Sequence, residues 1–190
     1  MPEMLSLPPR KTLRASLLAQ REAFVKASSS EAAAHALAAH LKRVLADLEP
    51  RLLGLYWPIR SEFNAPSALA ADAGHSSWPL ALTYCRKAPV EMQYRAWDGR
   101  QPKARDECNM LSADGAVVVP DVVLVPCAGF TRAGFRLGYG GGYFDRWMAA
   151  HPHATAVGVA WAVGELTDAN FQPEPHDLPL ALIVTENGVV

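Results

Sequence analysis

Residues 122–147 read VVLVPCAGFTRAGFRLGYGGGYFDRW. An apolar run, Val122–Val125, passes through a glycine cluster into a segment of helical character. Gly138, Gly140, Gly141 and Gly142 hold four of five consecutive positions. They free the backbone to turn tightly and to present N–H groups without Cβ interference. A helix after that turn aims its positive end back at it. Exposed amides at a helix N-terminus make an anion site, most often for phosphate. Arg136 adds a cation at one edge and Asp145 a carboxylate at the other. A bare carboxylate repels phosphate, so the pairing makes sense with a divalent cation between them, usually Mg2+. A plain turn before a helix with a dipole-favoured first-turn acid fits the same residues. Both readings stay open on this stretch alone. No Gly-Lys-Ser/Thr follows, which excludes a P-loop, and Tyr143 stands where a dinucleotide fingerprint needs its third glycine.

Around this stretch, helices and apolar strands alternate. Pro9–Lys26 reads as a basic amphipathic helix, with Leu13, Leu17 and Phe24 near one face and Arg14, Arg21 and Lys26 reaching solvent. A second helix is expected from Ser28, where Ser28 and Glu31 have capping-box spacing, to Leu48. Its stripe is Leu37, Leu41, Val44, Leu45 and Leu48, and Pro50 marks its end. Leu52–Trp57, Leu80–Tyr84, Val90–Trp97, Val122–Val125, Thr155–Trp161 and Leu180–Thr185 read as strands. Ser67–Ala73, stopped by Gly74, and Tyr143–Ala150 read as short helices, and residues 98–115 as loop. The alternation indicates a layered α/β domain with a mainly parallel sheet. Ligands in such sheets gather at the carboxyl ends of the strands. The loops after Trp57, Val125 and Trp161 are therefore where chemistry is expected.

The 190 residues suit a single domain spanning 1–190. A net charge of −1 points to no general nucleic-acid or membrane surface, so any anion site is a local arrangement of a few cations and amides. Cys85, Cys108 and Cys127 are an odd number in no metal-like spacing, which fits reduced thiols and a cytoplasmic protein. Cys127 reads as a small core residue. No signal-peptide apolar region is legible at the N-terminus, and no apolar segment approaches the ~20 residues that cross a bilayer.

The segment Leu124-Val125-Pro126, Gly129-Phe130 and Gly134 through Arg146 resembles the signature of the 5-formyltetrahydrofolate cyclo-ligase (methenyltetrahydrofolate synthetase) family. Arg10-Lys11-Thr12-Leu13-Arg14, then Tyr56-Trp57-Pro58 with Glu62, and His176-Asp177-Leu178-Pro179 are similar to further family segments, in the same order. The resemblance implies a three-layer α/β/α sandwich. It also implies an ATP- and Mg2+-dependent conversion of 5-formyltetrahydrofolate to 5,10-methenyltetrahydrofolate, releasing ADP and phosphate. Partners are then those two substrates, with no nucleic acid or membrane, in a monomer or weak homo-oligomer.

By the same resemblance, Arg136, Leu137, Gly138, Tyr139, Gly140, Gly141, Gly142 and Tyr143 cradle the nucleotide phosphates. Arg136 and Tyr143 are the catalytic candidates. Arg10, Lys11 and Arg14 match a basic phosphate-holding cluster; the family often has Lys where Arg10 stands, so Arg10 and Lys11 both remain candidates. Glu62 matches an acid that contacts the pterin, and a carboxylate can accept two parallel hydrogen bonds from a ring N–H and its amino neighbour. Trp57 and Tyr143 offer flat faces for stacking on the folate, and Trp57 equally suits the core. Asp145 matches a metal ligand, and Asp177 either a second one or a turn residue. Arg86 and Lys87 suit the surface or contact with a glutamate tail. Cys127 departs from a common family glycine, and Ala65 from a common Thr. Two other classes compete: a sugar-phosphate isomerase or acyl-CoA transferase on a similar scaffold, and a non-catalytic folate or nucleotide sensor.

Overall fold

A computed structural model describes residues 7–70 and 78–190. Helices α1 (Arg10–Lys26) and α2 (Ser30–Leu48) precede strand β1 (Leu53–Leu55), helix α3 (Ala65–Ala70) and the long hairpin β2 (Leu80–Lys87) and β3 (Val90–Trp97). Short strands β4 (Ala104–Arg105), β5 (Leu111–Ser112) and β6 (Val117–Val118) lead into β7 (Val122–Pro126). The small hairpin β8 (Gly129–Phe130) and β9 (Arg136–Leu137) comes before helix α4 (Tyr143–Ala150). Then follow β10 (Thr155–Val159), a 3-10 turn at Ala162–Gly164, β11 (Leu182–Thr185) and β12 (Gly188–Val189).

Eight strands form one sheet in the order β12-β11-β10-β7-β1-β2-β3-β6. The run β11-β10-β7-β1-β2 pairs in parallel, while β11–β12, β2–β3 and β3–β6 are antiparallel. Side chains alternate between the faces of a strand, so a continuous apolar run such as β7 must be covered on both sides. Val122 and Leu124 join a cluster with Leu37, Leu41, Val44 and Leu45 of α2 and with Leu53, Leu55, Val157 and Val184. Val123 and Val125 join the opposite cluster, with Trp147 and Met148 of α4 and with Ala81, Tyr94 and Ile183. Helix, sheet and helix make three layers, as the family resemblance implies.

Several local expectations are corrected. Helix α2 starts at Ser30, and Ser29 precedes it with α-region backbone and no side-chain cap. Ser28 lies inside the turn closed by the Ser30 amide on the Ala27 carbonyl, so no Ser28–Glu31 capping box forms. The strand expected over Leu52–Trp57 shortens to Leu53–Leu55, and that over Thr155–Trp161 ends at Val159. The strand from Leu80 continues to Lys87 because β3 pairs with it along its whole length, Lys87 opposite Val90. Arg86 and Lys87 therefore belong to the strand rather than following it. Within 98–115, β4 and β5 pair as a small hairpin. The short helix begins earlier, at Ala65, and its expected end at Ala73–Gly74 lies outside the described residues. Arg21, expected in solvent, is 3% exposed.

Leu41 is completely buried between α2 and the sheet. Leu41→Ala should lower the unfolding free energy by about 2–5 kcal/mol in urea titrations, with an unchanged m-value.

Candidate functional site

A cavity of about 790 Å³ opens at the carboxyl ends of β1 and β7. The segment after β1 supplies Tyr56, Trp57, Ile59 and Glu62; the segment after β7 supplies Arg136 through Arg146. Helix α1 adds Arg10 and Arg14, and the approach to β11 adds His176 and Asp177. The loop after Trp161 thus contributes only through its far end.

The glycine loop is anchored by its carbonyls. Arg14 Nε donates to the Gly138 carbonyl at 2.5 Å, and Arg146 Nη2 to that of Gly141 at 2.5 Å. Gly140 (φ 91°) and Gly142 (φ 62°) take left-handed backbone that a side chain would disfavour, and Gly142 caps α4 without a side-chain bond. The amides of Gly138 through Tyr143 donate to no acceptor among the described residues. A row of free N–H groups, ending on the positive end of α4, therefore lines the cavity.

Two ion pairs flank this row. Arg136, 8% exposed, donates from Nη2 to Asp145 Oδ1 at 2.7 Å and from Nη1 to the Leu178 carbonyl at 3.4 Å. Arg10 donates from Nη2 to Asp177 Oδ2 at 2.6 Å and pairs with Glu174 at 3.1 Å. Burial opposes ionisation of Asp177, but the Arg10 hydrogen bond and the Glu174 amide hold its carboxyl below the usual carboxylate range. Lys11 is exposed and lies outside the cavity lining, so of the two neighbouring cations it is Arg10 that reaches the site.

Among the described residues no three His, Cys, Asp or Glu side chains gather into a metal cage. Mg2+ bound with phosphates needs none, because one or two carboxylates plus phosphate oxygens and water complete its shell. Asp145 on the cavity wall fits that donor set. Arg136 takes Asp145 Oδ1 only, whereas both Asp177 oxygens accept from Arg10 and Oδ2 also from the Glu174 amide.

On the opposite side, Glu62 Oε2 accepts from the Ile59 amide at 2.9 Å. Burial pushes its carboxyl up, countered in part by that amide and by the Arg21 charge. Trp57 lines the cavity edge-on to Trp97, ring centres 6.1 Å apart. The Tyr143 hydroxyl donates to the Arg86 carbonyl at 3.1 Å and meets Cys108 Sγ at 3.3 Å. The Cys108 contact, with burial, raises this phenol to about 12. Tyr143 is thus tethered at the cavity wall. Arg86 pairs with Glu107 at 3.4 Å, and Lys87 is exposed. Trp147 and Trp161 are core residues, as is Cys127, whose thiol burial pushes up to about 12.

Sequence reading missed a second set of lining residues, Thr83, Cys85, Met92, Cys108 and Met110. The buried Asp106 carboxylate places part of this wall, accepting from the Cys85 amide at 3.0 Å and the Met110 amide at 2.9 Å. No spacing in the sequence signals that turn.

A mainly parallel sheet with a glycine-loop cavity at the carboxyl ends of its strands defines the α/β class of this protein. The sequence profile of the 5-formyltetrahydrofolate cyclo-ligase family matches residues 7–186, and the chain belongs to that family. It is 37% identical over 71 residues to the 5-formyltetrahydrofolate cyclo-ligase of Mycolicibacterium smegmatis, covering 37% of this chain and 36% of that protein. It is 28% identical to the mitochondrial 5-formyltetrahydrofolate cyclo-ligase of Arabidopsis thaliana, covering 58% of this chain and 38% of that one. The chain thus spans under two-fifths of the length of these curated relatives. Its fold is similar to the 5,10-methenyltetrahydrofolate synthetase structure from Mycoplasma pneumoniae (TM-score 0.72, 19% identity, 94% of this chain and 99% of that one). It is also similar to that from Aquifex aeolicus (TM-score 0.73, 23% identity, 95% and 91%). No described helix is long and apolar enough to cross a membrane.

The Asp177 carboxyl titrates lower in the folded chain than in the unfolded one. The unfolded chain therefore binds more protons as pH falls. The stabilisation is complete above the unfolded value of about 3.9 and is lost as pH drops through the lower folded value. Urea midpoints measured from pH 6 downward should fall less steeply in Asp177→Asn across that acidic window than in the parent.

Proposed function

We propose that the chain catalyses the ATP- and Mg2+-dependent conversion of 5-formyltetrahydrofolate to 5,10-methenyltetrahydrofolate, with release of ADP and phosphate. The reading rests on family membership. The observation that carries it on this chain is the row of unpaired amides from Gly138 to Tyr143 beside Arg136, Arg10 and Asp145. A formyl oxygen on an amide-like nitrogen is a weak nucleophile, so positioning and charge neutralisation are what the protein must supply. The formyl oxygen attacks the γ-phosphorus of ATP and displaces ADP; N10 then attacks the formyl carbon, losing its proton, and phosphate leaves with the former formyl oxygen. The loop amides grip the nucleotide phosphates, with Leu137 beneath them. Arg136, Arg10 and Arg14 neutralise their charge. Mg2+, when bound, screens the phosphate oxygens; Asp145 would hold it, with Asp177 contributing through Arg10.

Glu62 orients the pterin and Trp57 stacks on it. Tyr143, fixed by Arg86 and Cys108, borders the reacting groups and limits water access. The protein works as a single domain over residues 1–190, cytoplasmic, as a monomer or weak homo-oligomer, without nucleic-acid or membrane partners.

Protein mixed with 5-formyltetrahydrofolate and MgATP should generate the near-ultraviolet absorbance of methenyltetrahydrofolate, and a mixture lacking ATP should not. Asp145→Ala should lower turnover about 100-fold or more while keeping the parent circular-dichroism spectrum; undiminished turnover would remove Asp145 from the site. Glu62→Gln should weaken 5-formyltetrahydrofolate binding about tenfold in calorimetry and nucleotide binding far less. Equal losses would contradict the pterin assignment.

A further inference from the structure

Behind the cavity wall sits a buried cation that no carboxylate among the described residues hydrogen-bonds, although the Glu62 charge acts on it and Glu62 also meets the Tyr139 hydroxyl. Arg21 of α1 is 3% exposed. Its Nε donates to Ser61 Oγ at 3.1 Å, and its Nη2 donates to the Tyr139 hydroxyl. The guanidinium also lies over the Tyr139 ring, 5.7 Å from its centre. Removing such a charge from water is costly unless its fork is well engaged. The partners here belong to two different walls of the site. Tyr139 is part of the glycine loop, and Ser61 precedes Glu62; both Tyr139 and Glu62 line the cavity.

We propose that Arg21 is a positioning residue that couples the two halves of the site, tying Tyr139 of the glycine loop to the Ser61–Glu62 segment so that a ligand on either half tightens the other. The inference rests on the proposed function, which puts nucleotide on the first half and folate on the second. A triphosphate gripping the amides on either side of Tyr139 fixes the backbone that carries its ring. Through the phenol and the guanidinium, that order reaches Ser61 and the turn closed by the Glu62 amide on the Ile59 carbonyl at 3.1 Å. A second ligand then finds its segment already ordered, and linkage makes the effect reciprocal. Helix α1 gives the strut a fixed base, because Leu17 is packed with Leu137, Leu166 and Phe171.

The test is calorimetry of 5-formyltetrahydrofolate binding, with and without a saturating non-hydrolysable MgATP analogue. It is run on the parent, Arg21→Met and Ser61→Ala. In the parent, the analogue should tighten folate binding about fivefold or more. In both variants the gain should fall below about twofold while each ligand alone still binds. Ser61→Ala removes one arm and leaves Arg21 and the Tyr139–Glu62 contact in place, so coupling that survives in it runs through that contact rather than the strut, and it decides the matter if Arg21→Met fails to fold. Undiminished coupling in the variants, or independent binding of both ligands by the parent, overturns the strut and leaves the proposed function standing. A parent that binds neither ligand overturns both.

Discussion

The site depends on a division of labour within one short stretch of backbone. The carbonyls of Gly138 and Gly141 are held by Arg14 and Arg146, whereas the neighbouring amides have no acceptor among the described residues. A loop that satisfied its own N–H groups would be more stable alone and useless to an anion. Anchoring through carbonyls fixes the turn and leaves the donors for a ligand. The left-handed backbone at Gly140 and Gly142 makes that geometry available, and α4 adds its positive end in register with the donors.

Two of the cations around the loop arrive already paired with carboxylates. Arg136 is bound to Asp145 and Arg10 to Asp177, and Arg10 also feels the Asp145 charge. Pairing keeps guanidinium groups in place inside a partly buried cavity, where an isolated charge would be strongly penalised. It also offsets part of the positive charge that lines the cavity, in a chain whose net charge is −1. The field inside the cavity is therefore local, composed of amides, a helix end, Arg14 and Arg146 on the loop carbonyls, and the outer faces of these pairs.

How much of this was legible beforehand follows from the range of each interaction. The apolar runs at Leu53–Leu55, Val122–Val125 and Leu182–Thr185, and the stripe from Leu37 to Leu48, could be read because burial imposes a period on neighbouring residues. The glycine cluster could be read because backbone freedom is a property of the residue itself. Arg21 could not. Its place on a basic helix suggests solvent, and its burial is decided by Ser61 and Tyr139, 40 and 118 positions away. The Ser28–Glu31 spacing misled because the helix began two residues later than its pattern implied. The sulfur-rich wall around Cys108 and Met110 stayed hidden because Asp106 builds it through main-chain contacts that leave no periodic trace.

By itself, the amino-acid order settled the layered α/β class, the strand–glycine–helix arrangement and the family to which they belong, since each is written in local chemistry along the chain. Only the folded molecule decided which charges meet. It turned Arg10 rather than Lys11 into the cavity, set Asp145 against Arg136 and Asp177 against Arg10, and tethered Tyr143 to Arg86 and Cys108. Those choices depend on distances between residues far apart in sequence, which the sheet order and the seating of α1 fix and no local pattern encodes.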